Sequence, residues 1–137
     1  MIYAAGVCGP GGRKVNAMIA TTESYDFGLS PMLLYYEVTQ ACDLACKHCR
    51  ASAIARRDPR ELDTRAAQAL LEQALRFPQP PTVVMTGGDP LKRPDLFELI
   101  SYGVKRGLSI ALTPSATPLA TTAALRTARQ AGVGRRL

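Results

Sequence analysis

Residues 32–38 (MLLYYEV) and residues 39–49 (TQACDLACKHC) carry the strongest structural information in this sequence. The first segment is short, apolar and rich in aromatic residues, which is typical of a buried β-strand. The second segment is polar and places Cys42, Cys46 and Cys49 at spacings of four and then three residues. The pattern predicts a strand that leads directly into a ligand-binding loop.

The alternation of strand and helix continues to the end of the chain. Beyond the cysteine loop, the apolar spacing predicts a helix over residues 66–75, a strand over 82–86, a helix over 96–104, a strand over 108–112 and a helix over 123–131. Asp63 is the expected N-cap of the first helix, and Gly107 and Gly132 are expected to end the second and third. This order predicts an α/β fold of repeated βα units with parallel strands. In such folds the loops at the carboxyl ends of the strands bind ligands.

Three strands make an incomplete architecture. A three-stranded parallel sheet has two open edges. A fourth strand is expected to begin at Val133, but only residues 134–137 follow it. We therefore expect residues 31–137 to form the first half of a larger TIM-like barrel, apparently truncated. Residues 1–30, interrupted by glycines and a proline at positions 9–12, are expected to be a poorly structured extension.

Composition excludes several classes of protein. Of the 137 residues, 47% are hydrophobic and 20% are charged, which is ordinary for a globular domain and too apolar for a disordered chain. The lack of Trp and the aromatic content of 6% disfavour a stacking platform for nucleic acid. Much of the net charge of +6 comes from short arginine runs, which we interpret as solvated surface.

No segment has the pattern of a membrane span or a secretion signal. No stretch approaches the ~20 apolar residues of a transmembrane helix. The N-terminus lacks a basic region followed by a long apolar core. We therefore expect a cytoplasmic protein without membrane contact. In that reducing compartment a tight cysteine cluster is expected to bind metal or act in catalysis rather than form disulfides.

The number and spacing of the cysteines favour an iron–sulfur cluster. Most [4Fe–4S] clusters are held by four cysteine thiolates, so three ligands leave one iron open to a small molecule. The alternative is zinc, held by Cys42, Cys46, Cys49 and His48. His48 is adjacent to Cys49, so both face one ion only through a sharp turn, and no second cysteine pair follows at zinc-ribbon spacing. Cys8 lies far upstream and has no evident role.

These motifs together resemble the radical S-adenosylmethionine (SAM) enzymes. The cysteine triplet after the first strand and Gly87-Gly88-Asp89-Pro90 after the second are similar to the N-terminal half of that family's core, over about residues 30–133. Residues 31–53 and 86–99 are most similar to the branch that carries an additional SPASM domain. That branch includes haem-synthesis and peptide-modifying enzymes. The resemblance implies a partial radical SAM barrel with iron–sulfur oxidoreductase chemistry.

The resemblance implies the cofactors and the reaction. Cys42, Cys46 and Cys49 would ligate three irons of a [4Fe–4S] cluster, and the fourth iron would take the amino and carboxylate groups of SAM. A low-potential electron donor would reduce the cluster, which would then cleave SAM to methionine and a 5′-deoxyadenosyl radical. That radical would abstract a hydrogen atom from a substrate, either a small molecule or a peptide.

The same resemblance implies further SAM contacts. The turn Gly87-Gly88-Asp89-Pro90 is similar to the motif that meets the SAM amino group, because glycines let backbone carbonyls approach an ammonium and Asp89 adds charge. The commoner residue at the position of Asp89 is Glu.

Three other residues follow from the resemblance. His48 occupies the position beside the SAM adenine, where the family usually has an aromatic residue. Thr113 and Ser115 follow the third strand, where the family often places polar contacts to the methionine or the ribose. No catalytic residue is assigned.

The chain is expected to hold only part of an active site. The family barrel resembles six βα units, which need roughly 180–200 residues at ~30 residues per unit. We expect the intact form, with all six βα units, to cleave SAM. Two alternatives remain open, namely a non-catalytic module that binds zinc or an electron-transfer cluster, and an inactive truncated remnant.

Overall fold

The computed structural model describes residues 26–134. Strands and helices alternate along this part of the chain, which confirms the predicted α/β class. The elements are β1 (Leu33–Thr39), α1 (Thr64–Ala74), β2 (Thr82–Gly87), α2 (Leu96–Lys105), β3 (Ile110–Leu112) and α3 (Thr122–Ala131), with one 3₁₀ turn at Pro90–Lys92.

The strands form one open parallel sheet in the order β1-β2-β3. Val83, near the start of β2, pairs with Leu34 on one side and with Ile110 on the other. Because all strands run the same way, their carboxyl ends share one edge of the sheet. The loops that follow β1, β2 and β3 therefore start side by side, as predicted.

The hydrophobic core lies between one face of the sheet and the helices. Alternate strand residues point into it, as expected for the two-residue period of a strand. Tyr36 and Val38 of β1 are buried there, whereas Tyr35 and Glu37 are exposed on the other face. The largest fully buried apolar side chains of this core are Leu71, Met85, Leu96, Leu99, Ile100, Leu108, Ile110, Val38 and Val83.

The helix ends follow the predicted capping residues. The Asp63 side chain accepts a hydrogen bond from the Ala66 N–H at 2.8 Å, so Asp63 is the N-cap of α1. Gly107 and Gly132 end α2 and α3 with φ of +97° and +116°, the left-handed conformation that glycine adopts without steric cost. These contacts set where the crossovers turn back toward the sheet.

The third strand is shorter than predicted. The prediction was residues 108–112, whereas β3 begins at Ile110. The cause is local, because the Leu108 N–H donates to the Gly103 carbonyl at 3.0 Å and so belongs to the turn that closes α2.

Residues 1–25, which include Cys8, and residues 135–137 lie outside the described structure. Residues 26–30, which we assigned to the poorly structured extension, form a turn in which the Leu29 and Ser30 N–H groups donate to the Asp26 carbonyl at 3.1 Å. Ser30 is buried, and its hydroxyl accepts the Gln79 N–H at 3.1 Å. The ordered fold therefore begins before residue 31.

Between residues 26 and 134, no helix is long and apolar enough to cross a membrane.

Candidate functional site

A cavity of about 270 Å³ lies at the carboxyl edge of the sheet. The loops after all three strands contribute to its wall, so residues far apart in sequence meet there. The lining residues are Cys42, Leu44, Cys46, His48, Cys49, Arg50, Ala51, Ala53, Thr86, Gly87, Gly88 and Ser115. The predicted thiols, the glycine pair, His48 and Ser115 are thus brought together in one place.

The cysteines stand on a loop that a backbone bridge closes. The Cys42 N–H donates to the Ile54 carbonyl, and the Ile54 N–H donates to the Gln40 carbonyl, both at 2.9 Å. This bridge closes residues 42–53 into a single loop. Cys42 is buried at its base, whereas Cys46 and Cys49 are exposed.

Backbone donors point at two of the three sulfur atoms. The Leu44 N–H lies 3.4 Å from Cys42 Sγ, and the Ala53 N–H lies 3.4 Å from Cys49 Sγ. Hydrogen bonds from backbone amides favour negatively charged acceptors and stabilise thiolate ligands. The loop therefore suits cysteines that carry a charge.

A second closure, by Glu61, was not predicted from the sequence. Glu61 Oε1 accepts hydrogen bonds from the Thr39 hydroxyl and the Gln40 N–H, both at 2.9 Å. The Thr39 hydroxyl in turn accepts the Ala41 N–H at 3.1 Å, and Glu61 Oε2 accepts the Arg57 Nε–H at 2.7 Å. The carboxylate therefore joins the segment that follows the cysteine loop to the end of β1, just before the loop begins.

The environment of Glu61 favours its charged form. Burial alone raises the pKa of this carboxyl, but hydrogen bonds from Arg57, the Gln40 N–H and the Thr39 hydroxyl outweigh burial. The pKa of Glu61 therefore lies below its ordinary value.

The two glycines are required because β1 approaches them closely. A Cβ atom on Gly88 would lie 2.5 Å from the carbonyl oxygens of Gln40 and Ala41, and one on Gly87 would lie 2.2 Å from the Thr39 oxygen. The Gly88 N–H donates to the Thr39 carbonyl at 2.8 Å. The turn after β2 is thus fastened to the start of the cysteine loop.

Asp89 and Pro90 are not among the residues that line the cavity. Asp89 is 0% exposed, and its carboxylate accepts the Leu91 N–H at 3.1 Å and the Thr117 hydroxyl. Pro90 begins the 3₁₀ turn that Asp89 caps. The Asp89 carboxylate is therefore engaged in holding the turn and the loop after β3.

The loop after β3 reaches back to β2 through alternate hydroxyls. Thr113 donates to the Met85 carbonyl at 3.4 Å, Ser115 to the Gly88 carbonyl at 2.6 Å, and Thr117 to Asp89. Of these three, Ser115 lines the cavity and Thr113 does not. Thr117 was missed from the sequence, although hydroxyls at every second position of TPSAT are the pattern of an extended segment with one bonded face.

Two arginines near the site were also missed. Arg50 lines the cavity, with its guanidinium 5.7 Å from the centre of the Tyr35 ring and 3.6 Å from a Glu37 oxygen. Arg93 is 2% exposed and donates to the Val38 carbonyl at 2.8 Å and to both oxygens of Asp95 at 2.8 and 3.0 Å. Arg93 therefore anchors the end of β1 to the start of α2.

The donor set fits a cluster. Among residues 26–134, no three His, Cys, Asp or Glu side chains converge closely enough to hold a single metal ion. The three thiols instead stand around one cavity, and a [4Fe–4S] cluster takes each thiolate on a different iron. The cavity wall also offers a hydroxyl and a glycine turn beside the thiols.

The family model of the radical SAM superfamily matches residues 36–135. The chain belongs to the radical SAM superfamily. This result confirms the family inferred from the cysteine triplet and the glycine turn. Members of the superfamily use a [4Fe–4S] cluster and SAM, which confirms the predicted cofactors at the level of the family.

Curated relatives of this radical SAM chain are much longer. An AdoMet-dependent heme synthase of Oleidesulfovibrio alaskensis is 45% identical over 105 residues, which cover 75% of this chain and 26% of the relative. The mycofactocin maturase MftC of Mycobacterium tuberculosis is 40% identical over 109 residues, which cover 73% of this chain and 27% of the relative. The chain thus spans about a quarter of the length of these relatives.

A solved structure with the same fold is the crystal structure of BtrN in complex with AdoMet and 2-DOIA. The TM-score is 0.60 at 20% sequence identity, and the match covers 74% of this chain and 42% of that chain. The similarity supports the α/β fold, and the matched part is less than half of that chain.

Proposed function

We propose that Cys42, Cys46 and Cys49 hold a [4Fe–4S] cluster and that SAM binds beside it, for reductive cleavage of SAM. The observation that carries this proposal is the single cavity in which the three thiols meet the Gly87-Gly88 turn and Ser115. Membership of the superfamily supports the same cofactor pair.

The residues of this chain bind and orient the cofactors. When bound, the reduced cluster and SAM supply a 5′-deoxyadenosyl radical that removes a hydrogen atom from a substrate. The Leu44 and Ala53 N–H groups stabilise the thiolate forms of Cys42 and Cys49. The Gly88 carbonyl offers an acceptor for the SAM amino group at the cavity wall.

The remaining assignments concern the periphery of the cavity. His48 lines the cavity, which supports its proposed place beside the adenine. Ser115 is proposed to face SAM from the loop after β3. Asp89 and Pro90 act on SAM only by shaping the glycine turn, because the Asp89 carboxylate is bonded to Thr117 and the Leu91 N–H.

The reaction partners belong to the whole protein. We propose a low-potential electron donor and, as substrate, either a small molecule or a peptide. Relatives named heme synthase and mycofactocin maturase support a place in the branch with a SPASM domain. The open sheet of β1, β2 and β3 supports the proposal that residues 31–137 form the N-terminal half of a radical SAM core. We also propose a cytoplasmic location.

Anaerobic reconstitution with iron and sulfide tests the proposal. We expect the reduced chain to give the electron paramagnetic resonance (EPR) spectrum of a [4Fe–4S] cluster and the spectrum to change when SAM is added. Alanine at Cys42, Cys46 or Cys49 should abolish the cluster, whereas Cys8→Ala, a matched control at a cysteine not assigned to the proposed site, should retain it.

Other outcomes identify the alternatives. Zinc without sulfide, or a cluster whose spectrum ignores SAM, would indicate a non-catalytic metal module. A chain without a cooperative thermal transition by circular dichroism would indicate an inactive remnant.

A further inference from the structure

A single basic side chain stands in the wall of the cavity that holds the thiols. Among the described residues that line this cavity, Arg50 is the only Lys, Arg, Asp or Glu. Arg50 directly follows Cys49 in the chain, so its side chain starts beside a proposed cluster ligand. The Asp89 carboxylate of the neighbouring glycine turn is not part of the wall, because it is buried and bonded to Thr117 and the Leu91 N–H. The charge that the wall contributes is therefore positive.

The charge of Arg50 is only loosely paired. Its ion-pair partner is Glu37, at a nitrogen-to-oxygen distance of 3.6 Å, which is longer than a hydrogen bond. The other ion pairs found between residues 26 and 134 are all 3.0 Å or shorter. The guanidinium also lies over the Tyr35 ring, which supports its position and leaves its positive charge in place. Most of that charge is therefore available to act on its surroundings.

We propose that Arg50 raises the reduction potential of the cluster through its positive charge. The inference rests on the proposed function, in which Cys42, Cys46 and Cys49 hold the cluster. Three thiolates make such a site anionic, and reduction adds one further negative charge. A cation beside the site stabilises the reduced state more than the oxidised state. Arg50 therefore makes electron transfer from a low-potential donor more favourable.

Glu37 is expected to oppose Arg50. It lies on β1, on the sheet face away from the helices, and its side chain is 38% exposed. Its carboxylate offsets part of the charge of the guanidinium that it contacts. Removal of the Arg50 charge should therefore lower the potential, whereas removal of the Glu37 charge should raise it. Opposite shifts from the two partners of one ion pair follow from charge, because loss of the contact itself is common to both changes.

An EPR-monitored redox titration of the reconstituted full chain, without SAM, measures the effect. We expect Arg50→Met to lower the potential by an amount that corresponds to at least about a threefold smaller equilibrium constant for reduction. At ~59 mV per tenfold for one electron, that shift is about 28 mV. Glu37→Gln should raise the potential. Arg50→Lys, which keeps the charge, should stay closer to the wild-type potential than Arg50→Met.

Ionic strength separates the charge of Arg50 from its packing. The Debye length falls from about 10 Å at 0.1 M to about 3 Å at 1 M ionic strength. The Arg50 side chain is 71% exposed, so salt screens its charge. The difference in potential between wild type and Arg50→Met should therefore shrink at 1 M. A difference caused by altered packing against Tyr35 would not follow the salt concentration.

Arg106 provides a matched control. It is also an exposed arginine that pairs with a carboxylate, that of Glu72, and lies over an aromatic ring, that of Tyr102. However, it follows the last residue of α2 and does not line the cavity. Arg106→Met removes the same charge from the chain and should keep the wild-type potential.

The possible failures are distinguishable. Equal potentials of wild type and Arg50→Met, or a difference that 1 M salt does not reduce, overturn the role of Arg50 and leave the proposed function intact. An unchanged potential with weaker SAM binding also overturns it and assigns the guanidinium to the SAM carboxylate. If Arg50→Met fails to assemble a cluster, Glu37→Gln decides, and a potential that does not rise overturns the inference. A wild-type chain without a cluster contradicts the proposed function, and the inference falls with it.

Discussion

The Oε1 atom of Glu61 lies 2.9 Å from the backbone nitrogen of Gln40, although 21 residues separate them in sequence. The Thr39 hydroxyl donates to the same oxygen at 2.9 Å. One carboxylate thus closes the loop that carries all three site cysteines. Glu61 thereby holds together the two ends of the segment that carries those cysteines, through Thr39 and the Gln40 backbone.

We expect Glu61→Ala to weaken retention of the cluster. The substitution leaves the Gln40 N–H and the Thr39 hydroxyl without their acceptor, at a cost of about 1–3 kcal/mol in the free energy of unfolding. Iron and sulfide per chain, measured after reconstitution and desalting, should fall. Glu98→Ala, which removes an exposed carboxylate from α2, is the control. Equal iron retention in both variants would contradict the role of Glu61.

The lowered pKa of Glu61 predicts a pH dependence of stability. A carboxyl whose pKa is lower in the folded chain stabilises that chain above the unfolded pKa of ~4.3, and the effect is lost as pH falls through the folded pKa. The stability advantage of wild type over Glu61→Gln should therefore be constant near neutral pH and shrink in acid. Urea unfolding of the cluster-free chains at several pH values measures it, and an advantage that grows in acid would be inconsistent with the Glu61 contacts.

Gly88→Ala should be far more damaging than Gly107→Ala. The new Cβ at position 88 would lie 2.5 Å from the carbonyl oxygens of Gln40 and Ala41, whereas the one at 107 meets nothing within 4 Å. Gly107 has φ of +97°, so alanine there costs roughly 1–2 kcal/mol from backbone strain alone. Thermal unfolding should separate the variants, and similar midpoints would show that the turn moves freely away from β1.

Two substitutions of Asp89 distinguish a structural role of its carboxylate from an electrostatic effect on SAM. Asp89→Ala leaves the Leu91 N–H and the buried Thr117 hydroxyl without acceptors, which predicts a loss of about 1–3 kcal/mol. Asp89→Asn keeps an oxygen for the Leu91 N–H and removes the charge, while its NH2 group replaces the oxygen that accepts the Thr117 hydroxyl and donates to that hydroxyl instead. We expect SAM affinity of Asp89→Asn, measured by EPR titration, to stay within about twofold of wild type. A tenfold loss (~1.4 kcal/mol) would indicate that the charge acts on SAM directly.

Arg93 is expected to be essential for stability. Its guanidinium lowers the pKa of Asp95, against the opposing effect of burial on that carboxyl, and it satisfies the Val38 carbonyl. Arg93→Met removes this donor from the Val38 carbonyl and leaves Asp95 with only the Thr64 hydroxyl among its side-chain partners, and breaking such a buried ion pair costs about 3–5 kcal/mol. Arg106→Met, which breaks an exposed ion pair with Glu72, should cost less than about 1 kcal/mol. Chemical denaturation of the two variants provides the comparison, and near-equal stabilities would refute this role.

Local sequence patterns predicted most of the fold. Asp63, Gly107 and Gly132 act at the helix ends for which they were predicted, because capping depends on neighbours within a few residues. The strand ending at the cysteine triplet and the one ending at the glycine pair were also predicted. Parallel pairing then follows from the order of the elements.

The contacts that shape the site were not predictable in the same way. Glu61, Arg93 and Thr117 find their partners 21, 55 and 28 residues away. Asp89 was expected to contribute charge to a ligand, whereas its carboxylate points into the protein. A sequence pattern specifies which face of an element is apolar, but it does not specify which distant polar atom a side chain reaches.

The sequence by itself determined the order of the elements, the caps of the helices and the spacing of Cys42, Cys46 and Cys49. Each of these depends on interactions between near neighbours in the chain. Only the tertiary structure decided that the glycine turn, the Ser115 hydroxyl and the thiols share one cavity. Parallel pairing brings the ends of β1, β2 and β3 to one edge, and buried hydrogen bonds across the loops fix where each side chain lies there.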